Sequence, residues 1–193
     1  MKKKAGVLAL QGDFSAHAAA LARAGAEPVL VRDAAQFSEI DGLVIPGGES
    51  TTMLKLLRYD NLLEPLAQFA REKPVFGTCA GAILLARQVS HPQQESLGML
   101  DIDVERNAYG RQLDSRVAEI EPEPEFRERS APGKLEAVFI RAPIIRRTGP
   151  RITVLARYRG DPVLVEEGRH LAATFHPELT GDSRIHQLFL DKL

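Results

Sequence analysis

The chain of 193 residues lacks the features that mark several large classes of protein. It has one cysteine, which excludes an intramolecular disulfide framework and a zinc site built mainly from cysteines. No stretch approaches the ~20 apolar residues that a membrane-spanning helix needs. Acidic and basic residues nearly balance to a formal net charge of −1, so no basic patch of the kind that binds nucleic acid stands out. Neither a membrane nor a nucleic acid is therefore expected as a partner.

The N-terminal segment is the one place where a targeting signal must be considered. Three lysines precede an apolar run at residues 5–10, as in a secretory signal peptide. Gln11 and Asp13 end this run below the roughly 7–15 apolar residues that such a signal requires. The segment is therefore predicted to be a buried first strand, and the expected location is the reducing cytoplasm.

The first half of the chain alternates strand-like and helix-like segments. The hydrophobic patterns predict strands at residues 4–10, 27–32, 43–45 and 75–76, with helices near residues 14–24, 53–57 and 62–69. This order predicts an α/β fold of three layers, in which a mostly parallel central sheet carries helices on both faces. Because no linker or repeat interrupts the chain, residues 1–193 are expected to form one domain.

The second half is richer in strands. They are predicted at residues 100–104, 117–120, 135–140, 152–158, 163–167 and 171–175, before a last helix that starts near residue 182. Residues 121–133 combine alternating proline and glutamate with other charges, which predicts an exposed loop.

The single cysteine lies between a short apolar strand and a helix-like run, in the motif Gly77-Thr78-Cys79-Ala80-Gly81. A strand, a sharp turn and a helix place a nucleophile on an elbow, here with cysteine where hydrolases carry serine. The flanking glycines permit the unusual backbone angles of such a turn. The helix start behind Cys79 would stabilise a thiolate. A buried structural cysteine is the alternative, which the elbow context disfavours.

A cysteine nucleophile usually needs a base, and His176 is the best candidate among the five histidines. It follows a predicted strand, so its side chain is expected at a sheet edge. Pro177 favours an extended His176, and Glu178 then lies on the same face two residues later. The carboxylate could fix the imidazole tautomer and complete a Cys79–His176–Glu178 triad. The remaining histidines are interpreted as structural or solvated: His17, His91, His170 and His186.

A second glycine-rich segment follows the third predicted strand: Pro46-Gly47-Gly48-Glu49-Ser50-Thr51-Thr52. It lacks the Gly-Lys-Ser/Thr pattern of a phosphate loop, and Glu49 would repel a phosphate. An oxyanion hole fits better, with backbone N–H groups near Gly48 joined by that of Ala80. The alternative is a plain turn with a helix cap at Ser50 or Thr51.

These motifs together resemble those of the triad (class I) glutamine amidotransferases, and among them the glutaminase subunits of pyridoxal 5′-phosphate synthases. The resemblance spans nearly the whole chain, and the segments that begin at Glu105 and Phe139 are its more specific parts. The matching segments are Ala9-Leu10-Gln11-Gly12-Asp13-Phe14, Pro46-Gly47-Gly48-Glu49-Ser50-Thr51-Thr52, Phe76-Gly77-Thr78-Cys79-Ala80-Gly81, Glu105-Arg106-Asn107-Ala108-Tyr109-Gly110-Arg111-Gln112, Phe139-Ile140-Arg141-Ala142-Pro143 and Phe175-His176-Pro177-Glu178-Leu179-Thr180.

The resemblance implies a flavodoxin-like amidotransferase fold and hydrolysis of L-glutamine to L-glutamate and ammonia. It makes Cys79 the nucleophile, His176 the base and then the acid, and Glu178 the orienting group. Arg106 is implied to hold the substrate carboxylate, for which a planar guanidinium is well shaped. The other implied site residues are Gly47, Gly48 and Glu49 along the glutamine site, Ile140 and Arg141 at its border, and Gln11 and Asn107 facing the pocket or a partner.

The resemblance also implies a partner, a barrel-shaped synthase subunit that receives ammonia through an internal path and builds the pyridine ring of vitamin B6. Pyridoxal 5′-phosphate would be the product, so no cofactor and no metal are implied here. The glutaminase is implied to be weak until it docks. Two features depart from the family pattern: Arg116 stands where an aromatic or apolar residue is expected, and residues 121–133 are unusually charged.

Three other functions stay open at this point. One is a related α/β cysteine hydrolase, such as a peptidase or a γ-glutamyl hydrolase. Another is a non-enzymatic redox or chaperone-like protein of the same architecture, with Cys79 as a sensor. The third is a catalytically idle regulatory subunit. The His-Pro-Glu segment disfavours the redox protein, since that class lacks it.

Overall fold

The computed structural model describes residues 2–106 and 115–193. The strands in these residues are β1 (Lys4–Leu8), β2 (Glu27–Val31), β3 (Gly42–Ile45), β4 (Val75–Thr78), β5 (Ala86–Ser90), β6 (Leu100–Glu105), β7 (Ser115–Ile120), β8 (Leu135–Ile140), β9 (Ile144–Thr148), β10 (Thr153–Tyr158), β11 (Asp161–Glu167) and β12 (His170–Ala173). The helices are α1 (Phe14–Arg23), α2 (Ser50–Tyr59), α3 (Leu63–Glu72), α4 (Ala80–Leu85), α5 (Pro124–Arg127) and α6 (Arg184–Leu190), with 3₁₀ helices at Ala34–Glu39 and Pro177–Leu179.

The central sheet of the described residues has seven strands in the order β10-β11-β12-β4-β3-β1-β2. Pairing is parallel from β12 to β2, whereas β10 and β11 form an antiparallel edge. The side chains of successive residues in an inner strand point to opposite faces of the sheet. Val44 packs with α1 and α6 on one face, and Ile45 packs with α2, α3 and α4 on the other. The predicted three-layer α/β fold with a mostly parallel sheet is confirmed.

Two smaller sheets, β5-β6-β9 and β7-β8, lie outside the central one in the described residues. Neither β5 nor β9 is predicted by the sequence. In β5 the buried residues are Ala86 and Val89, a spacing of three that does not show the alternation of a half-buried strand. The apolar residues of α4 also continue without interruption into Ala86. The sequence therefore does not mark the point at which the helix ends and the strand begins.

The prediction of an exposed loop at residues 121–133 is wrong in its middle. Pro124 begins the short helix α5, a position that suits a residue without a backbone N–H. Phe126 on that helix is fully buried in the cluster that also contains Phe139 and Phe175. One apolar anchor among many charges is a weak sequence signal, although its burial fixes the segment on the sheet.

The strands that carry the sequence motifs end at the same edge of the sheet. β1, β3, β4 and β12 run parallel, so the segments after them gather at their carboxyl ends, where open α/β sheets bind ligands. None of the helices in residues 2–106 and 115–193 has the length and apolarity that crossing a bilayer demands.

Candidate active site

Cys79 occupies a sharp turn between β4 and α4, with φ 47° and ψ −103°. Such angles are strained for a residue with a side chain and persist only where the surroundings hold them. The Cys79 N–H donates to the carbonyl of Ala173 at 2.8 Å. A β-carbon at Gly81 would stand 2.1 Å from the Ile45 carbonyl oxygen, and one at Gly77 would stand 2.5 Å from the Gly81 backbone. Both glycines are therefore required for the close packing of this turn.

His176 follows β12 by three residues, and its N–H donates to the carbonyl of Val138 at 2.8 Å. The chain does not continue extended to Glu178 as predicted. Pro177 instead begins a 3₁₀ turn, since its fixed φ suits a first helical position. This turn still brings Glu178 Oε1 to 2.7 Å from His176 Nδ1. The expected contact is present, but a different backbone conformation produces it.

The His176 ring and Cys79 converge against Gly47. A β-carbon at Gly47 would stand 2.4 Å from His176 Cε1 and 3.3 Å from Cys79 Cβ. Burial acts to lower the pKa of His176, but the side-chain hydrogen bonds and charges of Cys79 and Glu178 outweigh it and raise the pKa to about 10. Because Nδ1 is taken by Glu178, Nε2 is left for Cys79. An imidazolium next to the sulfur is thus favoured at neutral pH.

The glycine-rich loop after β3 is held by Gln11. The Gln11 Nε2 donates to the Glu49 carbonyl at 3.2 Å, and the Glu49 N–H donates to Gln11 Oε1 at 3.4 Å. Gly48 has φ 138°, a conformation that favours glycine, and a β-carbon there would stand 2.6 Å from the Gln11 side chain. Gln11 therefore braces the loop that was predicted to supply oxyanion donors.

Glu49 is the N-cap of α2, the task that the alternative interpretation gave to Ser50 or Thr51. Its carboxylate accepts from the N–H groups of Thr51 at 3.0 Å and Thr52 at 2.7 Å. Desolvation acts to raise the pKa of Glu49, but these hydrogen bonds lower it to about 2. A glutamate can cap here because its longer chain curls back over the first turn. The group therefore carries a full negative charge at the edge of the site.

A cavity of about 200 Å³ joins these elements. Arg106 closes one side and donates to Glu49 Oε1 at 3.1 Å and to Thr51 Oγ1 at 2.8 Å. Arg141 on another side has φ 45°, a second strained residue. Among the described residues the lining consists of Gly48, Glu49, Ser50, Cys79, Ile83, Arg106, Ile140, Arg141 and His176. Seven of these nine were singled out from the sequence, and Ser50 and Ile83 were not assigned to the pocket.

Some predicted residues lie outside this lining. Gly47 and Ala80 are buried next to the cavity without lining it. Asn107 falls outside the described residues. Arg116, flagged as a departure, forms a side-chain hydrogen bond that lowers the pKa of Tyr158. No group of three or more His, Cys, Asp or Glu side chains in the described residues is placed to hold a metal ion.

The fold is that of a glutamine amidotransferase, as comparison with known proteins shows. The chain belongs to the SNO glutamine amidotransferase family, whose model matches residues 7–193. It is 66% identical over 191 residues to the pyridoxal 5′-phosphate synthase subunit PdxT of Solibacter usitatus, covering 99% of this chain and 100% of that protein. It is 57% identical over 188 residues to the PdxT subunit of Koribacter versatilis, covering 97% and 94% of the two chains.

Solved structures support the fold. A crystal structure described as a glutamine amidotransferase superposes with a TM-score of 0.87 at 46% identity, covering 97% of each chain. The structure of PurLQS from Thermotoga maritima superposes with a TM-score of 0.67 at 16% identity, covering 99% of each chain. At that low identity the second similarity concerns the fold alone.

Proposed function

We propose that this protein hydrolyses L-glutamine to L-glutamate and ammonia and supplies the ammonia to a synthase subunit that makes pyridoxal 5′-phosphate. The observation that carries the proposal is the convergence of Cys79 and His176 on one cavity, with Glu178 bound to the far nitrogen of the imidazole. Membership of the glutamine amidotransferase family and the full-length similarity to PdxT subunits support the substrate and the pathway.

The first half of the reaction is acyl transfer to Cys79. The thiolate attacks the side-chain amide carbon of glutamine, and the carbonyl oxygen becomes an oxyanion. Backbone N–H groups near Gly48 and of Ala80 hold this charge, and losing one such donor typically costs ~10²–10³ in rate. The His176 imidazolium then gives its proton to the departing nitrogen. Ammonia leaves, and a γ-glutamyl thioester remains on the sulfur.

The second half regenerates the thiolate. His176, now neutral, takes a proton from water as the oxygen attacks the thioester carbon. The C–S bond breaks, glutamate leaves, and the sulfur is released as a thiolate next to the His176 imidazolium. Glu178 accepts the Nδ1–H throughout, so the same nitrogen, Nε2, serves as acid and base.

The charged ends of glutamine match the charged lining of the cavity. Arg106 is assigned to the substrate carboxylate, and Glu49, next to it, suits the ammonium group. Gly48, Ile140 and Arg141 are assigned to the walls of the glutamine site, and Gly47 is assigned to the layer directly behind them, against His176 and Cys79.

The proposal covers the whole chain, residues 1–193, as one glutaminase domain that works in the cytoplasm. Its partner is a barrel-shaped synthase subunit, and the complex channels ammonia from this site to the pyridine-forming site. The support is the similarity to the PdxT relatives, which spans nearly the whole of this chain and of theirs.

A coupled assay tests the proposal. Ammonia release from glutamine is measured with and without the synthase subunit, and a peptide library and γ-glutamyl conjugates serve as competing substrates. The expected result is release from glutamine that rises when the synthase subunit is present, with a glutamine-like electrophile adding to Cys79 in a mass spectrum. Cleavage of peptides or conjugates without glutamine turnover would instead identify the related hydrolase.

Replacing Arg106 by leucine should mainly weaken substrate binding. A hydrogen bond to a charged group contributes about 1.5–3 kcal/mol, so the KM for glutamine is expected to rise roughly 10- to 100-fold while kcat changes much less. Steady-state kinetics of the complex measures both constants. Arg87→Leu, which removes an exposed arginine outside the cavity, is the matched control and should leave KM unchanged. A loss confined to kcat would contradict the assignment.

A further inference from the structure

A buried histidine lies directly behind the proposed triad. His17 on α1 is fully buried, and its Nε2 lies 3.2 Å from Glu178 Oε2 and 3.0 Å from Thr78 Oγ1. Its other ring nitrogen, Nδ1, lies 3.2 Å from Nε2 of His186 on α6, which is also fully buried. The sequence interpretation gave both histidines a structural or solvated role. In the structure the four side chains instead contact one another in the order His186, His17, Glu178, His176.

The tautomer of His186 follows from its surroundings. Its Nδ1 is buried and has no hydrogen-bond partner in the described part of the chain. A buried N–H without an acceptor is costly, so the ring carries its proton on Nε2, where His17 can accept it. The Nδ1 of His17 is then an acceptor, and the proton of a neutral His17 ring lies on Nε2.

That proton faces Glu178. The Oε2 atom of Glu178 is completely buried, and no donor other than His17 comes within reach of it in residues 2–106 and 115–193. The contact between Nε2 and Oε2 falls short of hydrogen-bond geometry in this structure, and Nε2 makes its hydrogen bond with Thr78 Oγ1 at 3.0 Å. The opposite tautomer would turn a lone pair toward a buried carboxylate oxygen and leave it unsatisfied, which is unfavourable.

We propose that His17 is a positioning residue for this site: its Nε2–H donates to Glu178 Oε2 and thereby holds Oε1 on His176 Nδ1. Glu178 sits on a short 3₁₀ turn, and its one hydrogen bond, from Oε1 to His176 Nδ1, does not by itself define the plane of the carboxylate. The His17 Nε2–H, 3.2 Å from Oε2, supplies the second contact that fixes this plane, and with it the ring of His176. The inference rests on the proposed function, since it concerns how that triad is held.

Electrostatics keep His17 neutral in this role. Burial lowers its pKa well below the ordinary value, and the nearby rings of His186 and His176 lower it further. Burial and Arg23 lower the pKa of His186 to about 4, against a raising effect from Asp182. Two other residues face the His17 ring at Nε2: Thr78 is uncharged, and the Glu178 carboxylate faces the Nε2–H. Both rings therefore remain neutral donors and acceptors across the pH range in which the enzyme would work.

Two polar substitutions separate positioning from packing. His17→Gln places an amide nitrogen near the position of Nε2, whereas His17→Asn reaches only the position of Nδ1 and leaves Glu178 Oε2 without a donor. Partners that orient metal-ligating side chains are typically worth 10- to 100-fold in activity, and we apply the same scale to a partner that orients a triad carboxylate. We expect His17→Asn to lower kcat about 10- to 100-fold with KM for glutamine within about threefold, and His17→Gln to stay within about fivefold of the parent.

Alkylation of the single cysteine gives a second readout. At pH 7 iodoacetamide should modify Cys79 in His17→Asn about tenfold more slowly than in the parent, because a loosened Glu178 no longer keeps the imidazolium at the sulfur. At pH 10 the two rates should converge, since an unassisted thiol ionises near pH 8.5. A general packing defect would not produce a difference that disappears with pH.

A measurement on the unmutated chain covers the case in which His17→Asn does not fold. Nitrogen-15 spectra of the imidazoles should show His17 protonated at Nε2 and bare at Nδ1. The opposite tautomer, equal kcat in the parent and His17→Asn, or equal losses in the Gln and Asn variants would each overturn the inference. If the parent releases no ammonia from glutamine even with the synthase subunit present, the proposed function fails; if the parent is active and the tautomer is reversed, only the role of His17 fails.

Discussion

Glutamine hydrolysis by the Cys79→Ala variant is expected to fall to the background of the assay, a loss on the order of 10⁶-fold, as when a hydrolase loses its nucleophile. The chain has no second cysteine that could replace it, and the one hydroxyl group among the described lining residues, that of Ser50, donates to Gln94 Oε1 at 2.9 Å. Ammonia release in the presence of the synthase subunit measures the loss. Serine at this position should recover little, because an alkoxide is far harder to form beside an imidazolium than a thiolate is.

The control for this variant is substrate binding. Arg106 and Glu49 do not depend on the sulfur, so glutamine should bind to Cys79→Ala about as tightly as to the parent in calorimetry. The Cys79 side chain is small, and its replacement by alanine removes one atom from the wall of an open cavity. Ammonia release above about one thousandth of the parental rate in a variant that binds glutamine would rule out Cys79 as the nucleophile.

The parts of the fold that sequence predicts are those with a regular hydrophobic period. β3 and β4 are short, fully buried and bounded by glycine or proline, and α2 and α3 have apolar residues at helical spacing. β5 escapes prediction because three of its five residues are exposed, and β9 because only its first two residues are buried; both strands are completed by pairing with β6. Such strands are defined by their partners and not by their own composition.

The candidate site shows the same division. The motifs around Cys79, Gly48 and His176 contain glycines and a proline that the local backbone conformation requires. The sequence alone is therefore enough to single out these three residues. His17 is a lone histidine on an amphipathic helix, and nothing in its own segment distinguishes it from a core residue. Only the packing of α1 and α6 against β4 brings it to Glu178. Residues that act through another side chain are in general visible only in three dimensions.

Replacing Glu178 by glutamine is expected to lower kcat by about 10⁴-fold, the loss seen when a triad carboxylate is made neutral without a change of shape. The glutamine amide can donate its own N–H to His176 Nδ1. The imidazole would then carry its proton on Nε2, facing Cys79, and the neutral ring could not accept a proton from water. Single-turnover hydrolysis of glutamine measures the effect, and Glu27→Gln, an exposed carboxylate on β2, is the matched control.

The pH dependence of the residual activity separates this explanation from a folding defect. In the parent, Cys79 and Glu178 raise the pKa of His176 to about 10, so the imidazolium that protonates the departing nitrogen persists until the pH rises through that value. Without the carboxylate charge the pKa of His176 falls toward its ordinary value near 6.5, and the acid is lost at a lower pH. The alkaline decline of kcat should therefore move to lower pH in Glu178→Gln. A variant that is slow but keeps the parental alkaline decline would show that Glu178 contributes to the structure of the turn and not to the charge of His176.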